Sequence, residues 1–315
     1  MKKILSIIGL SSTIGVFSQN ITSWNNEKIT VKKASSVQTV MHADEIFRDR
    51  WDVLEQAQFW KKIMLLSPDT CLINVAANRQ VLLKMSKEEW NLKTEEEKTA
   101  FKNDLIISNN LPEESTINVT FGKSDFYRFH DVYPTLSKGV EAFEKLGVDP
   151  WYAQSILLIE SPGQLKKSSA GAYGPFQLMP DVARSMGLVV NDKVDERKDF
   201  QKSAMGAAKL ISRICIPEAK RILNRHGITY NENELWFRLF VMHVYHAGAG
   251  NVSAVVAKIQ PTEGSQNLIT AMWQTKAAKF GSGSQNYSQL AIAAQLILHD
   301  MIYTNCDEIE HYASK

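Results

Sequence analysis

The sequence predicts a mostly α-helical protein in which a small α+β N-terminal region precedes a larger helical domain. After Pro134, apolar residues recur at intervals of three and four along most of the chain, which is the spacing of helices with one buried face. Before that point Ile117, Val119 and Phe121 alternate with polar residues, which indicates a half-buried strand. The 315 residues suffice for one large domain or two ordinary ones.

Composition and charge exclude several classes of protein. Hydrophobic residues make up 44% of the chain and charged residues 22%, which is typical of globular proteins and not of disordered, collagen-like or coiled-coil chains. The 36 Lys and Arg residues nearly balance the 34 Asp and Glu residues, so the chain lacks the basic surface of a nucleic-acid binder. The chain has no apolar run long enough to cross a bilayer, and we therefore expect neither a nucleic-acid partner nor a membrane span.

The N-terminus has the pattern of a secretory signal peptide. Lys2 and Lys3 precede an apolar stretch over residues 4–17, and Ser18 follows it as a small residue near the expected cleavage site before Gln19. We therefore expect residues 1–18 to be a signal peptide and the chain to be exported. Residues 19–40 are polar and show no clear period, so we expect them to form a disordered linker.

Residues 41–130 are expected to form the small α+β region. One apolar stripe predicts a helix from Met41 onward; its members are Phe47, Trp51, Leu54, Ala57, Trp60 and Met64. A short strand is predicted over residues 72–76, and the Ser86–Glu89 and Thr94–Glu97 spacings are capping boxes that begin helices. Nothing in this region suggests chemistry, and a cell-envelope protein is a candidate partner for it.

Residues 131–315 are expected to form the helical domain. Gly147 is placed to end one helix in a left-handed turn, and Asp149 followed by Pro150 is placed to begin the next. Further helices are predicted near residues 180–186, 201–214, 217–226, 233–247 and 286–303, with a loop over most of 260–286.

The cysteines give no metal-binding pattern. Cys71, Cys215 and Cys306 are far apart and form no CxxC spacing, so we expect no metal site and no cofactor. Three buried, inert thiols are the favoured interpretation; a disulfide between one pair is the alternative in an exported protein.

Three stretches carry residues suited to acid–base chemistry and to ligand binding. Glu160 ends an apolar helix, and burial there would raise the pKa of its carboxyl group and make it a general acid. In residues 168–180, Gly171 and Gly174 permit close approach of a ligand, and Gln177 offers an amide. In residues 244–252, Tyr245 can donate its hydroxyl to a carboxylate.

These stretches resemble the soluble lytic transglycosylase (SLT) domain of the goose-lysozyme-like glycosidases, glycoside hydrolase family 23. The family carries a Glu-Ser pair, then S-x-x-G-A-x-G-L-M-Q-L-M-P, then A-Y-N-A-G; this chain reads ESPG, SSAGAYGPFQLMP and VYHAGAGNV in the same order. Between them, Arg197 to Asp199 with Ser203 and Gly206 resembles the segment R-x-D-P-x-x-S-x-x-x-G-A. The resemblance covers about residues 134–303 and implies a lysozyme-like catalytic domain.

The chain departs from the family pattern at four positions. Pro175 and Phe176 replace Leu-Met, Phe200 replaces Pro, and His246 replaces the Asn that follows Tyr245. We expect Pro175 and Phe176 to reshape the floor of the sugar groove. We expect His246 to change how the substrate is placed.

The resemblance implies a peptidoglycan lytic transglycosylase that cleaves the MurNAc-β-1,4-GlcNAc bond and leaves 1,6-anhydromuramic ends. Glu160 would be the single general acid and base, since the motifs supply no second catalytic carboxylate, and Tyr245 would hydrogen-bond it. The residues implied to bind the glycan are Ser161, Gly174, Phe176, Gln177, His246 and Tyr287, the last on a looser match.

Two alternatives stay open on the sequence. One is a lysozyme-like muramidase that uses water as the nucleophile, and the other is a non-catalytic peptidoglycan-binding scaffold that retains the fold. Either would act on peptidoglycan glycan strands. The signal peptide and this substrate together favour the periplasm, with secretion as the second choice.

Overall fold

A computed structural model describes residues 23–122, 129–160 and 167–311 of the chain. Helices dominate these residues, and two small antiparallel sheets accompany them. The predicted fold class, mostly α with a small N-terminal α+β part, is confirmed. The predicted signal peptide, residues 1–18, lies outside the described residues.

The elements follow one another along the whole described chain. The strands are β1 Lys28–Lys33, β2 Ser36–Met41, β3 Thr70–Val75, β4 Val81–Ser86, β5 Ile117–Phe121 and β6 Glu308–His311. The helices are α1 Asp44–Arg48, α2 Glu55–Met64, α3 Lys87–Asn91, α4 Glu95–Ser108, α5 Phe129–Glu144, α6 Pro150–Glu160, α7 Pro180–Ser185, α8 Phe200–Leu210, α9 Ile216–Arg225, α10 Leu235–Ala247, α11 Ala249–Ile259, α12 Gln266–Gln274 and α13 Ser282–Asn305. A π-helical turn, Ile211–Cys215, joins α8 to α9.

The first sheet corrects the expectation of a disordered linker over residues 19–40. Its strand order is β2-β1-β6, all antiparallel. Ile29 and Val31 of β1 are buried in the main core, so a short alternating pattern does exist there. The sequence reading missed it because β1 completes its pairing with β6, near the other end of the chain.

The second sheet divides the predicted region 41–130. Its order is β4-β3-β5, and the side chains of Cys71 and Ile73 form a separate small core with Trp90 of α3. In contrast, Phe59 and Ile63 of α2 belong to the main core of the helical domain. The residues before β3 therefore pack with the helical domain, and the smaller lobe comprises only β3 to β5 with α3 and α4.

Helix α6 lies at the centre of the main core and ends at Glu160. All its residues from Pro150 to Ile159 are buried, and α5, α8 and α13 pack against it. The predicted start is confirmed, because Asp149 Oδ1 accepts a hydrogen bond from the Trp151 amide at 2.9 Å. Gly147 has the predicted left-handed conformation, with φ +65°.

Two helix predictions need correction, and one further helix, α11, was not predicted. The stripe that begins at Met41 forms two helices, α1 and α2, separated by a turn. Helix α12 lies inside the predicted loop 260–286, and the hydroxyl of Ser265 caps it by accepting from the Asn267 amide. Helix α11 begins directly after Gly248, whose φ of +79° reverses the chain without a longer loop.

A buried arginine ties the N-terminal segment to the helical domain. Arg238 of α10 is 0% exposed and donates to Asp149 at 2.8 Å, to Glu27 at 2.8 and 3.0 Å, and to Glu45 at 2.9 Å. Burial raises the pKa of Glu27 to about 7, against the opposing effect of Arg238. The cluster joins residues from three separate parts of the chain.

The three cysteines are free thiols. Cys71 and Cys215 are buried as expected, whereas Cys306 is half-buried and lies 3.7 Å from the Tyr133 hydroxyl. In the described ranges, no group of three or more His, Cys, Asp or Glu side chains is arranged to hold a metal ion. None of the described helices combines the length and apolar character needed to cross a membrane.

Candidate active site

Glu160 is the last residue of α6, where the buried helix reaches the surface. Its side chain is half-buried, although every residue before it in the helix is buried. The segment that follows, 161–166, lies outside the described residues, and the predicted glycan-binding residue Ser161 lies within it. The helix therefore brings one carboxyl group to the edge of the main core.

Burial raises the pKa of the Glu160 carboxyl to about 7, and an interaction with the Tyr287 hydroxyl opposes the rise. No other described carboxylate affects this pKa, and the undescribed segment 161–166 contains neither Asp nor Glu. A carboxyl group with this pKa is populated in both protonation states near neutral pH, as a group that serves as both acid and base requires.

Tyr287 of α13 is one of two tyrosines close to Glu160. It is 4% exposed, and burial and the Glu160 charge both raise its pKa. Among the described residues its hydroxyl has no partner with full hydrogen-bond geometry within 3.5 Å. Its interaction with Glu160 therefore falls short of full hydrogen-bond geometry in this state. The structure thus brings Tyr287, predicted only on a loose match, to the carboxyl group.

Tyr245 has a different hydrogen-bond acceptor from the one we expected. Its hydroxyl donates to the backbone carbonyl of Phe176 at 2.5 Å and not to Glu160. The Glu160 charge nevertheless contributes to raising the pKa of Tyr245. Because a hydroxyl has one proton to donate, Tyr245 holds the 168–178 loop next to Glu160 in this state.

The loop over residues 168–178 is held close to the α8 side of the core. Gly174 has φ +84°, and a Cβ atom built on it would lie 1.9 Å from the carbonyl oxygen of Arg197. Gln177 has φ +45° and donates from Nε2 to the carbonyl oxygen of Gly174 at 3.0 Å. Gly174 is therefore needed for backbone packing, and the amide of Gln177 contributes to the turn itself.

Arg197 also holds the 168–178 loop in place, by donating hydrogen bonds to its backbone carbonyl groups. Its side chain is 2% exposed and binds both carboxylate oxygens of Asp195, at 2.8 and 2.7 Å. Its Nη1 donates to the carbonyl oxygens of Gly171 and Leu178, each at 2.9 Å. The family motif included Arg197, but its role in holding the loop could not be read from the motif.

Phe176 does not form the floor of the sugar groove, and that expectation is wrong. Its side chain is 0% exposed and packs against Phe143, with ring centroids 5.8 Å apart, and against Phe200, at 5.9 Å. Pro175 is buried as well. Two of the departures from the family pattern, Phe176 and Phe200, therefore contact each other inside the core.

His246 packs on Tyr287. Their ring centroids are 4.3 Å apart, with an interplanar angle of 27°. Burial lowers the pKa of His246, so the imidazole is neutral at pH 7. The residue that replaces the family Asn thus contacts the tyrosine that faces Glu160.

A buried polar network that the sequence analysis missed holds α13 against α10. Trp273 Nε1 donates to the Ser288 hydroxyl at 2.7 Å, and that hydroxyl lies 2.8 Å from Nε2 of His243. Burial lowers the pKa of His243 to about 3, which keeps it neutral. Since Ser288 follows Tyr287, this network positions the tyrosine. No local pattern signals it, because its members come from three helices.

Two comparisons with known proteins bear on the family of this chain. No curated protein matches the chain. The family model of the transglycosylase SLT domain matches residues 140–267, an interval that includes Glu160, Gly174, Gln177 and Tyr245 but not Tyr287. Over residues 140–267 the chain is therefore similar to the transglycosylase SLT domain, a lysozyme-like domain of soluble lytic transglycosylases.

Proposed function

We propose that the protein is a peptidoglycan lytic transglycosylase that cleaves the MurNAc-β-1,4-GlcNAc bond and leaves 1,6-anhydromuramic ends. The observation that carries the proposal is Glu160, a carboxyl group at the end of a buried helix. Burial raises its pKa to about 7, and no other described carboxylate affects that pKa. It lies inside the SLT domain.

The proposed first step uses the protonated form of Glu160. Its proton passes to the glycosidic oxygen, which leaves as the 4-hydroxyl of GlcNAc. The N-acetyl oxygen of the muramic residue attacks the anomeric carbon and forms an oxazolinium ring, as in other substrate-assisted glycosidases. This route needs no second protein carboxylate. It is consistent with the observation that no other described carboxylate affects the pKa of Glu160.

The second step uses the carboxylate that remains. Glu160 removes the proton of the muramic 6-hydroxyl, whose oxygen attacks the anomeric carbon and expels the acetamido oxygen. Glu160 thereby recovers its proton, and the sugar closes its 1,6-anhydro ring. The reaction consumes no water.

The surrounding residues support these steps in different ways. Tyr287 is proposed to steady the Glu160 carboxylate by donating its hydroxyl hydrogen, while Tyr245 and Arg197 hold the loop that carries Gln177. Ser161, Gly174, Gln177 and His246 remain proposed contacts for the glycan. The chain is proposed to act after export, in the periplasm.

Product analysis tests the proposal. Purified peptidoglycan is incubated with the chain, with Glu160→Gln and with Glu263→Gln, a control at an exposed position. Mass spectrometry identifies the products, and circular dichroism verifies that each variant folds. We expect anhydro-muropeptides from the wild type and the control but not from Glu160→Gln.

The other outcomes separate the alternatives. Products with reducing ends would show a muramidase that uses water. Binding of the wild type to glycan strands without any product would show a scaffold. If Glu160→Gln retains activity, Glu160 is not the general acid.

A further inference from the structure

Arg79 occupies an unusual backbone position in the smaller lobe. It lies in the turn between β3 and β4, where its φ of +68° is one that residues other than glycine rarely adopt. The turn is tight: the amide of Arg79 donates to the Val75 carbonyl at 2.9 Å, and the Val75 amide donates to the Gln80 carbonyl at 2.9 Å. The two hydrogen bonds of the hairpin therefore fix the backbone conformation of Arg79.

Aromatic rings and amides surround the guanidinium of Arg79. Its central carbon lies 5.5 Å from the ring centroid of Phe59 and 5.6 Å from that of Trp60. Nη2 donates to the Asn286 side-chain oxygen at 2.9 Å, and Nη1 makes a longer bond of 3.4 Å to that of Asn74. These contacts orient a planar cation without neutralising it.

No described carboxylate lies within 4.0 Å of the Arg79 guanidinium, whereas the buried Arg197 and Arg238 are both paired with acids. Burial alone lowers the pKa of Arg79, and no anionic group opposes it. A guanidinium carries five N–H donors. Two of those of Arg79 have acceptors among the described residues, and the half-buried side chain keeps some exposure to solvent.

The position of Arg79 links this cation to the active site. Its partner Asn286 directly precedes Tyr287, the tyrosine that faces Glu160. The neighbouring Trp60 also donates to Gln289 of α13, at 3.0 Å. The β3–β4 turn and α2 therefore meet α13 on the turn of helix that carries Tyr287.

We infer that Arg79 is a binding site for a carboxylate of the peptide stem carried by the muramic residue. A planar guanidinium without a described acidic partner is suited to bind a carboxylate, and peptidoglycan carries its free carboxylates on the stem peptides. The smaller lobe would then determine which strands the active site accepts. This inference rests on the proposed function and adds a stem-recognition site to it.

The test compares binding to glycan strands with and without stem peptides. All proteins carry Glu160→Gln, so that bound strands stay intact, and Arg79→Gln is added to one of them. The strands are stem-bearing, stripped of stems by an amidase so that only the lactyl carboxylate of each muramic residue remains, or stem-bearing with amidated carboxyl groups. We expect Arg79→Gln to weaken binding at least tenfold for the first strands only.

Arg50→Gln is the matched control. Arg50 also has a left-handed backbone, with φ +61°, but its side chain is exposed. The Arg50→Gln variant therefore measures how the loss of one arginine from such a turn affects the fold and the non-specific electrostatic attraction of glycan strands. We expect its binding to equal that of the parent protein for all three strands.

Two results would overturn the inference: equal binding of stem-bearing strands with and without Arg79→Gln, or an equal loss for all three kinds of strand. The second would mean that Arg79 only supports the fold. The binding measurement decides the role of Arg79 even if the wild type releases no anhydro product, so the two proposals fail independently.

Discussion

The imidazole of His246 stacks on the phenol ring of Tyr287, with ring centroids 4.3 Å apart. This pair explains how a histidine can stand where related domains carry Asn. The ring covers the tyrosine that faces Glu160, and its pKa is lowered by burial, so it adds no charge at neutral pH. We therefore interpret His246 as a residue that positions Tyr287.

Replacing His246 tests this interpretation. A stacked aromatic pair contributes about 0.5–1.5 kcal/mol, so we expect His246→Ala to lower kcat about threefold to tenfold. His246→Phe keeps a ring over Tyr287 and should retain most of the activity. Initial rates on solubilised glycan strands measure both. Equal losses in the two variants would show that the imidazole nitrogens matter and not the ring.

The pKa of Glu160 predicts the pH dependence of cleavage. Burial raises this pKa to about 7, and the first step needs the protonated carboxyl group. We expect kcat/KM to fall about tenfold per pH unit above pH 7, with an inflection near 7 that reports the free enzyme. A profile that stays flat up to pH 9 would contradict the assignment of Glu160 as the acid.

The same pKa predicts how Glu160→Gln changes stability. The folded state holds the Glu160 proton more tightly than the unfolded state, so stability is present below pH 4.5 and is lost as the pH rises to about 7. Glutamine avoids this loss. We expect Glu160→Gln to be more stable than the wild type by about 1–3 kcal/mol at pH 8 and nearly equal to it at pH 4. Urea unfolding at both pH values measures the difference.

A pair of glycine substitutions tests the packing of the 168–178 loop. Gly174 and Gly171 both have positive φ, of +84° and +94°, but only Gly174 has backbone atoms where a Cβ would lie. We expect Gly171→Ala to cost about 1 kcal/mol of strain. Gly174→Ala should lower stability by more than twice as much and abolish cleavage. Thermal unfolding and product release measure the two effects, and similar values for both variants would argue against the contact with Arg197.

The contact between Phe176 and Phe200 predicts energetic coupling between two departures from the family pattern. The two rings lie 5.9 Å apart in the core. In a double-mutant cycle with Phe176→Leu and Phe200→Leu, we expect a coupling energy of about 0.5–1.5 kcal/mol from denaturant unfolding. KM for the glycan should change less than twofold, because Phe176 does not reach the surface. A large rise in KM would indicate that Phe176 contributes to the sugar groove and would contradict this prediction.

The elements that local signals define could be predicted from the sequence. Thr94 and Glu97 form the expected capping box at the start of α4. Asp149 and Pro150 begin α6 as expected, so the helix that presents Glu160 was correctly placed. In each case the residues that determine the start of the helix are within three positions of one another.

The contacts that join distant parts of the chain could not be predicted. Strand β1 was read as linker because half of its pairing comes from β6. The acceptor of the Tyr245 hydroxyl and the burial of Phe176 depend on how the 168–178 loop folds back on the core. The hydrogen bond between Arg79 and Asn286 forms only because the smaller lobe packs against α13. A single sequence contains no local pattern that predicts a contact between residues so far apart.

The pairing of β1 with β6 has a consequence for how the protein is made. The central strand of the first sheet, Lys28–Lys33, finds one of its neighbours in Glu308–His311. A ribosome synthesises the first of these long before the second, so this sheet closes only after residue 311 has been made. Such long-range closure slows folding. Until β6 has been synthesised, one edge of β1 lacks its strand partner in this sheet.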